Sequence, residues 1–472
     1  MANTNIRPRA AVAERPPFVA PPSGAVRLGL HVTDRELVVW QDRAVNGPYK
    51  TAGDVSTNSP GDWDRIVTNK SSFMSNQTGD RWSGQTTNVC WTVSQPDVGQ
   101  NRGINLLCAA FYSLVQSDST VRTAVRDELV AQSTTAGTIF TNTTRWCQTG
   151  FDGFIHDYAS WLIRLLFAYD YIRSNLSGAD QTTLDTWFHD AGTYFDDNVN
   201  YFVTQNRFPN RNTDDYTTFA AGWSNDASVG PNPIILWFGG PTRGDWHEGW
   251  NNRNASLATF AGLCGIMFND TTLKNRAKRY FKEWMTYSVF YTSGVDTADS
   301  QDIHRGISDG DPGVAFAYGL DTPASMVVLA DAFARNGDTE LYDYSTSSGI
   351  KGTSGGPKTI QKVTSTAMAY VPDGILVRYS TTSSGNQNST YKIGPTDTFP
   401  TPDTFRVQDI FGAQANLFMR DTTVAGRYQR TEANSPAYPS SITGFWEGPR
   451  GRFPGMLFMF GQMENNSANP YV

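Results

Sequence analysis

Two kinds of helical segment alternate along this chain, and that alternation restricts its fold more than any other feature. Arg102 to Asp118, RGINLLCAAFYSLVQSD, is apolar on nearly every side, whereas Ser119 to Gln132, STVRTAVRDELVAQ, keeps its apolar residues on one stripe. The couple recurs. His156 to Leu176 is densely apolar, and the segment after it opens with Ser-Gly-Ala-Asp, a helix N-terminal signal. NASLATFAGLCGIMF is apolar all round, and LKNRAKRYFKEWMTYSVF then sets Leu273, Ala277, Phe281 and Trp284 on one stripe with Lys274, Lys278 and Lys282 elsewhere. A fourth couple begins at PGVAFAYGLDTPASMVVLADAFARNG. Helices hidden on both sides alternating with helices hidden on one side predict an all-α fold, an (α/α)n toroid or incomplete double helical barrel.

Four to six such hairpins are expected, ending in a helix near Arg452 to Met463, with long loops over one mouth. They carry no strict residue-level repeat, which argues against a solenoid of identical units. Residues 26–102 read as loop-rich, with one short helix near Asp62, and residues 373–440 as a mixed stretch rich in turn residues. Residues 1–25, rich in Pro and Ala and without the apolar centre of a signal peptide, read as a flexible arm; residues 26–472 read as a single domain.

Composition narrows the partners. The net charge is −7 and no Lys/Arg run forms a nucleic-acid patch, so neither DNA nor RNA is expected. No run of 18 apolar residues is present, so no membrane span is expected. The chain is expected to be a monomer or a small homo-oligomer, without a cofactor or metal, since the spacing of His247, His304 and the nearby acids does not fit a ligand set. Of the four cysteines, Cys108 and Cys264 fall in apolar helices and read as buried thiols, while Cys90 and Cys147 could form a bridge. Thirteen Trp and twenty Tyr suit either a large aromatic core or sugar rings, whose faces stack on flat aromatic surfaces.

Two polar constellations precede apolar helices. In DWHEGWNNRNASLATFAG, His247, Glu248, Asn251 and Asn252 stand just before a buried helix. One asparagine suffices as an N-cap; the other also lies at the positive end of the helix dipole, where an anion is stabilised. In DSQDIHRGISDGDPGVAFAYG, His304 and Arg305 occupy a turn before the next inner helix, and Tyr318 lies within that helix among Ala315, Ala317 and Gly319. A tyrosine hydroxyl with pKa ~10 becomes a usable base only when a neighbouring cation favours the phenolate. The plainer readings are a core tyrosine with its hydroxyl satisfied, and an Arg305 salt bridge to Asp302 or Asp309.

An Asn-Asn at the head of one inner helix, followed by Arg-Gly and a tyrosine at the head of the next, resembles the alginate lyase superfamily. This comprises polysaccharide lyase family 5 and the related glucuronan lyases of family 38, and the resemblance is carried by Trp246 to Leu341. It implies an α/α-toroid that cleaves acidic polysaccharides by β-elimination. Asn251 or Asn252 would neutralise the C5 carboxylate, Arg305 would bind it, and Tyr318 would be the catalytic hydroxyl. Arg253 stands where family 5 has the histidine of an Asn-Asn-His run, which favours the glucuronan lyase side, with His247 or His304 taking that histidine's place in space. Arg253, Trp246, Trp250, Glu248, Arg243, Arg211 and Trp446 are expected to bind substrate, with Arg450, Trp82, Trp223 and Trp237 as further groove candidates. An acidic glycan substrate implies an extracellular or periplasmic setting, or a virion. Two alternatives stand beside the lyase: an inverting glycoside hydrolase on the same helical ring, which needs two carboxylates ~6.5–9.5 Å apart, and a non-catalytic glycan-binding virion protein.

Overall fold

The computed structural model describes residues 30, 32–51, 54, 61–82, 103–135, 153–204, 250, 252–291, 298–300, 312–347, 357–369, 375–379, 389–393 and 458–459. These residues are mostly helical. The principal helices are α1 (Asp34–Asn46), α2 (Asp62–Ser75), α3 (Ile104–Val115), α4 (Ser119–Thr135), α5 (Gly153–Ile172), α6 (Gly178–Thr204), α7 (Asn252–Met267), α8 (Thr271–Tyr287) and α9 (Pro312–Arg335). Two shorter helices follow, α10 (Glu340–Asp343) and α11 (Ile360–Ala369). Three antiparallel two-stranded pairs complete the described part: Val289–Tyr291 with Ala298–Ser300, Ser345–Thr346 with Lys358–Thr359, and Ile375–Tyr379 with Ser389–Ile393. Among the described residues no helix is long and apolar enough to cross a membrane.

The two expected classes of helix occupy two layers. Every residue from Tyr158 to Ile172 in α5 is buried, as is every residue from Asn254 to Gly265 in α7 and from Thr322 to Arg335 in α9. Burial in α4 and α8 follows a stripe: Val121, Ala124, Val125 and Leu129 in one, Leu273, Ala277, Phe281 and Trp284 in the other. The buried helices pack in sequence, α3 on α5, α5 on α7 and α7 on α9. The striped helices form a second row over them, α4 against α6 and α6 against α8.

The buried helices run parallel. Gly103 at the start of α3 lies against Trp161 and Leu165, and Phe111 further along meets Tyr171 at 5.5 Å, so the contacts of α3 and α5 advance together. Between α7 and α9, Thr259 Oγ1 donates to the Ser325 carbonyl at 3.2 Å, and a Cβ on Gly262 would stand 2.5 Å from a Leu329 methyl. The same Cβ would lie 2.8 Å from Ala277 of α8, so three helices approach closely at Gly262. Helix α6 runs the other way and bridges α5 to α7, its Phe195 touching both Tyr158 and Phe260. The N-terminal ends of α3, α5, α7 and α9 therefore lie on one side.

Helix α1 was not anticipated, since the segment was expected to be loop. Its start carries a complete capping box: Glu36 N–H donates to Thr33 Oγ1, and Glu36 Oε2 accepts from Thr33 N–H. Two of its charged residues, Glu36 and Arg43, are buried and meet partners far along the chain. Arg335 of α9 donates to both carboxylate oxygens of Glu36 at 2.9 Å and, through Nε, to Asp331 at 3.0 Å. Arg43 donates to the Phe458 carbonyl at 2.6 Å and Trp40 to the Met459 carbonyl at 2.9 Å. Phe458 also stacks on Trp63 of α2 at 4.9 Å, so residues near the end of the chain join residues near its start.

Other junctions are tied with equal economy. Gly103, at φ +85°, has no side chain to cap α3, and buried Asp80 does so instead by accepting from Leu106 N–H at 2.8 Å. Fully buried Lys358 donates to the carbonyls of Thr286 and Val289 where α8 ends, and burial holds its pKa well below the usual lysine value. Cys108 and Cys264 are free, buried thiols, as expected. Cys90 and Cys147 lie outside the described residues, as does the expected terminal helix except for residues 458–459.

Candidate functional site

The described structure holds the framework of the expected site rather than all of its side chains. Arg211, Arg243, Trp246, His247, Glu248, Asn251, His304, Arg305 and Trp446 lie outside the described residues, as do Trp223, Trp237 and Arg450. Asn252 and Arg253 are the first two residues of α7, and Tyr318 is the seventh residue of α9.

The register between these two helices relates the two constellations. Thr259 pairs with Ser325 and Gly262 with Leu329, partners separated in number by 66 and 67. Continued straight toward the helix heads at ~1.5 Å per residue, the same offset would bring Asn252 near the level of positions 318 and 319. Asn252 and Tyr318, 66 residues apart in sequence, thus lie toward the N-terminal ends of adjacent parallel helices. Pro323 lies between that level and Ser325 and removes one backbone donor from α9.

Helices α7 and α9 both turn the positive ends of their dipoles to this side, each about half a unit charge in ideal form. A phenol here is not activated by burial alone. Tyr158, near the start of α5, is fully buried, and burial pushes its pKa upward, with Tyr194 adding to the shift. A tyrosine acting as a base therefore needs a cation beside it, the part expected of Arg305.

Trp250 is the expected substrate-binding residue whose side chain is described, and its surroundings correct the expectation. The indole is fully buried, with its N–H donating to Glu283 Oε2 of α8 at 3.3 Å, so it packs inside the protein rather than offering a face to a sugar. Trp82 behaves similarly: its ring packs on Tyr158 at 4.7 Å and Trp161 at 5.7 Å and is nearly covered. Their aromatic surface is engaged by protein, which is how abundant tryptophan in a large core is ordinarily used.

Glu283 and Arg279 were missed. Glu283 is buried, and Arg279 Nε lies 3.9 Å from its Oε1, one turn earlier on α8. The signal was present as a glutamate beside Trp284 on the buried stripe, four residues after an arginine. Among the described residues no group of three His, Cys, Asp or Glu side chains is arranged to hold a metal ion.

No model of a known protein family matches this sequence, and no curated protein matches it significantly.

Proposed function

We propose that the chain is a polysaccharide lyase that cleaves a β-1,4-linked polyuronate, glucuronan or mannuronan, by β-elimination on an α/α-toroid. The observation that carries this reading is the parallel packing of α7 and α9, in register at Thr259–Ser325 and Gly262–Leu329, with Asn252 and Tyr318 both toward the N-terminal ends of those helices. The toroid is supported by the order of packing. Helices α3, α5, α7 and α9 follow one another, and α1 touches both α3 and, through Glu36 and Arg335, α9.

In this reading the substrate's C5 carboxylate faces the positive ends of the inner helices, where Asn251 or Asn252 and Arg305 offset its charge. Tyr318, as phenolate, takes the proton from C5. The electron pair of that C–H bond forms the C4=C5 double bond as the C4–O4 bond breaks, and the tyrosine returns the proton to the leaving O4. His247 or His304 supports the phenolate, and Arg253 and the arginines of the preceding segment bind flanking acid groups. The intermediate is a dianionic enolate, so the amides act as an oxyanion hole does; removing one such donor typically costs ~10²–10³ in rate.

Ultraviolet absorbance tests the reading on a panel of glucuronan, alginate, hyaluronan and pectate, because the new C4=C5 bond absorbs. Rising absorbance on a β-1,4-linked polyuronate is expected. New reducing ends without absorbance would mark hydrolysis, and tight binding without product would mark a glycan-binding protein.

A further inference from the structure

We propose that Glu283 is a positioning residue for the candidate site, acting through Trp250 to fix the head of α7, whose first residue is Asn252; this rests on the lyase reading above. Trp250 stands two residues before Asn252, and successive Cα atoms are ~3.8 Å apart, so anchoring its indole restricts where α7 begins. The anchor is specific. The indole is fully buried and donates at 3.3 Å to a carboxylate that is itself buried on α8, the antiparallel neighbour of α7. Arg279 Nε, at 3.9 Å from the other oxygen, offsets a charge whose burial is otherwise costly.

A purely packing role would be met by any apolar residue at 283. A carboxylate there selects one orientation of the indole, because a single acceptor defines where its N–H must point. The consequence for rate is large relative to the displacement, since misplacing a catalytic group by ~1 Å can cost ~10²-fold.

The test compares Glu283→Ala, which removes the acceptor, with Glu283→Gln, which keeps an oxygen, and with Trp250→Phe, which keeps a ring but loses the N–H. On the polyuronate turned over by the wild type, kcat should fall ~10–100-fold in Glu283→Ala and Trp250→Phe, with KM within about twofold, and Glu283→Gln should recover most of the loss. Folded Glu283→Ala and Trp250→Phe variants with wild-type kcat would overturn the proposal. Amide exchange gives a second readout independent of turnover. The amides of residues 256–259 bond the carbonyls of the first turn of α7, and they should exchange at least about tenfold faster in Glu283→Ala but not in Glu283→Gln. Unchanged exchange overturns the anchor. If the wild type eliminates no polyuronate, the lyase reading fails instead, and exchange alone decides whether the anchor exists.

Discussion

Two buried carboxylates, Glu36 and Glu283, show how differently this molecule treats the same costly group. Glu36 receives both nitrogen–oxygen contacts of Arg335 Nη1 at 2.9 Å and is also bonded by the backbone and hydroxyl of Thr33, with Asp331 sharing the guanidinium. Glu283 meets an indole N–H at 3.3 Å and a guanidinium at 3.9 Å. The first joins α1 to α9 through residues 299 positions apart and serves to hold the fold. The second stands beneath the start of one helix, where small displacements matter more than total stability. The contrast teaches that burial of a charge does not by itself announce function; what its partners fix does.

The largest effect should come from breaking the first junction. Arg335→Ala leaves Glu36 and Asp331 buried together without their cation, and the expected loss is about 3–5 kcal/mol, read from denaturant unfolding. A loss below ~1 kcal/mol would mean that water reaches the cluster and that the junction does not hold the fold. Glu283→Ala should cost less, about 1–3 kcal/mol for a buried indole N–H left without its acceptor, while affecting turnover more than Arg335→Ala does in protein that remains folded. Equal effects on rate would erase the contrast.

The smallest effect concerns an exposed junction. Asp270 caps α8 by accepting from Thr272 and Leu273 N–H, and it meets His189 of α6 at 3.0 Å. His189, then the Leu273 N–H, hold its pKa below the ordinary 3.8. A depressed carboxylate stabilises the fold above its unfolded pKa and loses that contribution as pH falls through its folded value. Asp270→Ala should therefore cost ~1 kcal/mol at neutral pH, and the difference from wild type should shrink below about pH 4. A difference that persists in acid would assign the effect to packing rather than to the cap.

The helical couples were readable because burial on two sides and burial on one side write different patterns. Helices α3 and α4, and α7 and α8, fall where those patterns put them. Helix α1 was hidden because its buried faces include Glu36 and Arg43, charged residues that look like solvent-facing ones until their partners 299 and 415 positions away are known. Local pattern does not carry that information, although Thr33 and Glu36 three apart were a readable capping box. The two polar constellations were legible as residue types at helix heads. The parallel packing of the two helices they precede was not, because it depends on the inter-helix register set by Thr259, Ser325, Gly262 and Leu329. Trp250 misled for a related reason: a tryptophan beside a candidate site reads as a sugar platform, and only its contact with Glu283 shows that its ring faces inward.

The most direct measurement is the absorbance-detected turnover of Tyr318→Phe beside the wild type, with oligouronate binding measured on both. The lyase reading requires turnover to vanish in the variant while binding persists. Wild-type turnover by the phenylalanine variant would contradict it, since a ring without a hydroxyl can neither take the C5 proton nor return one to O4.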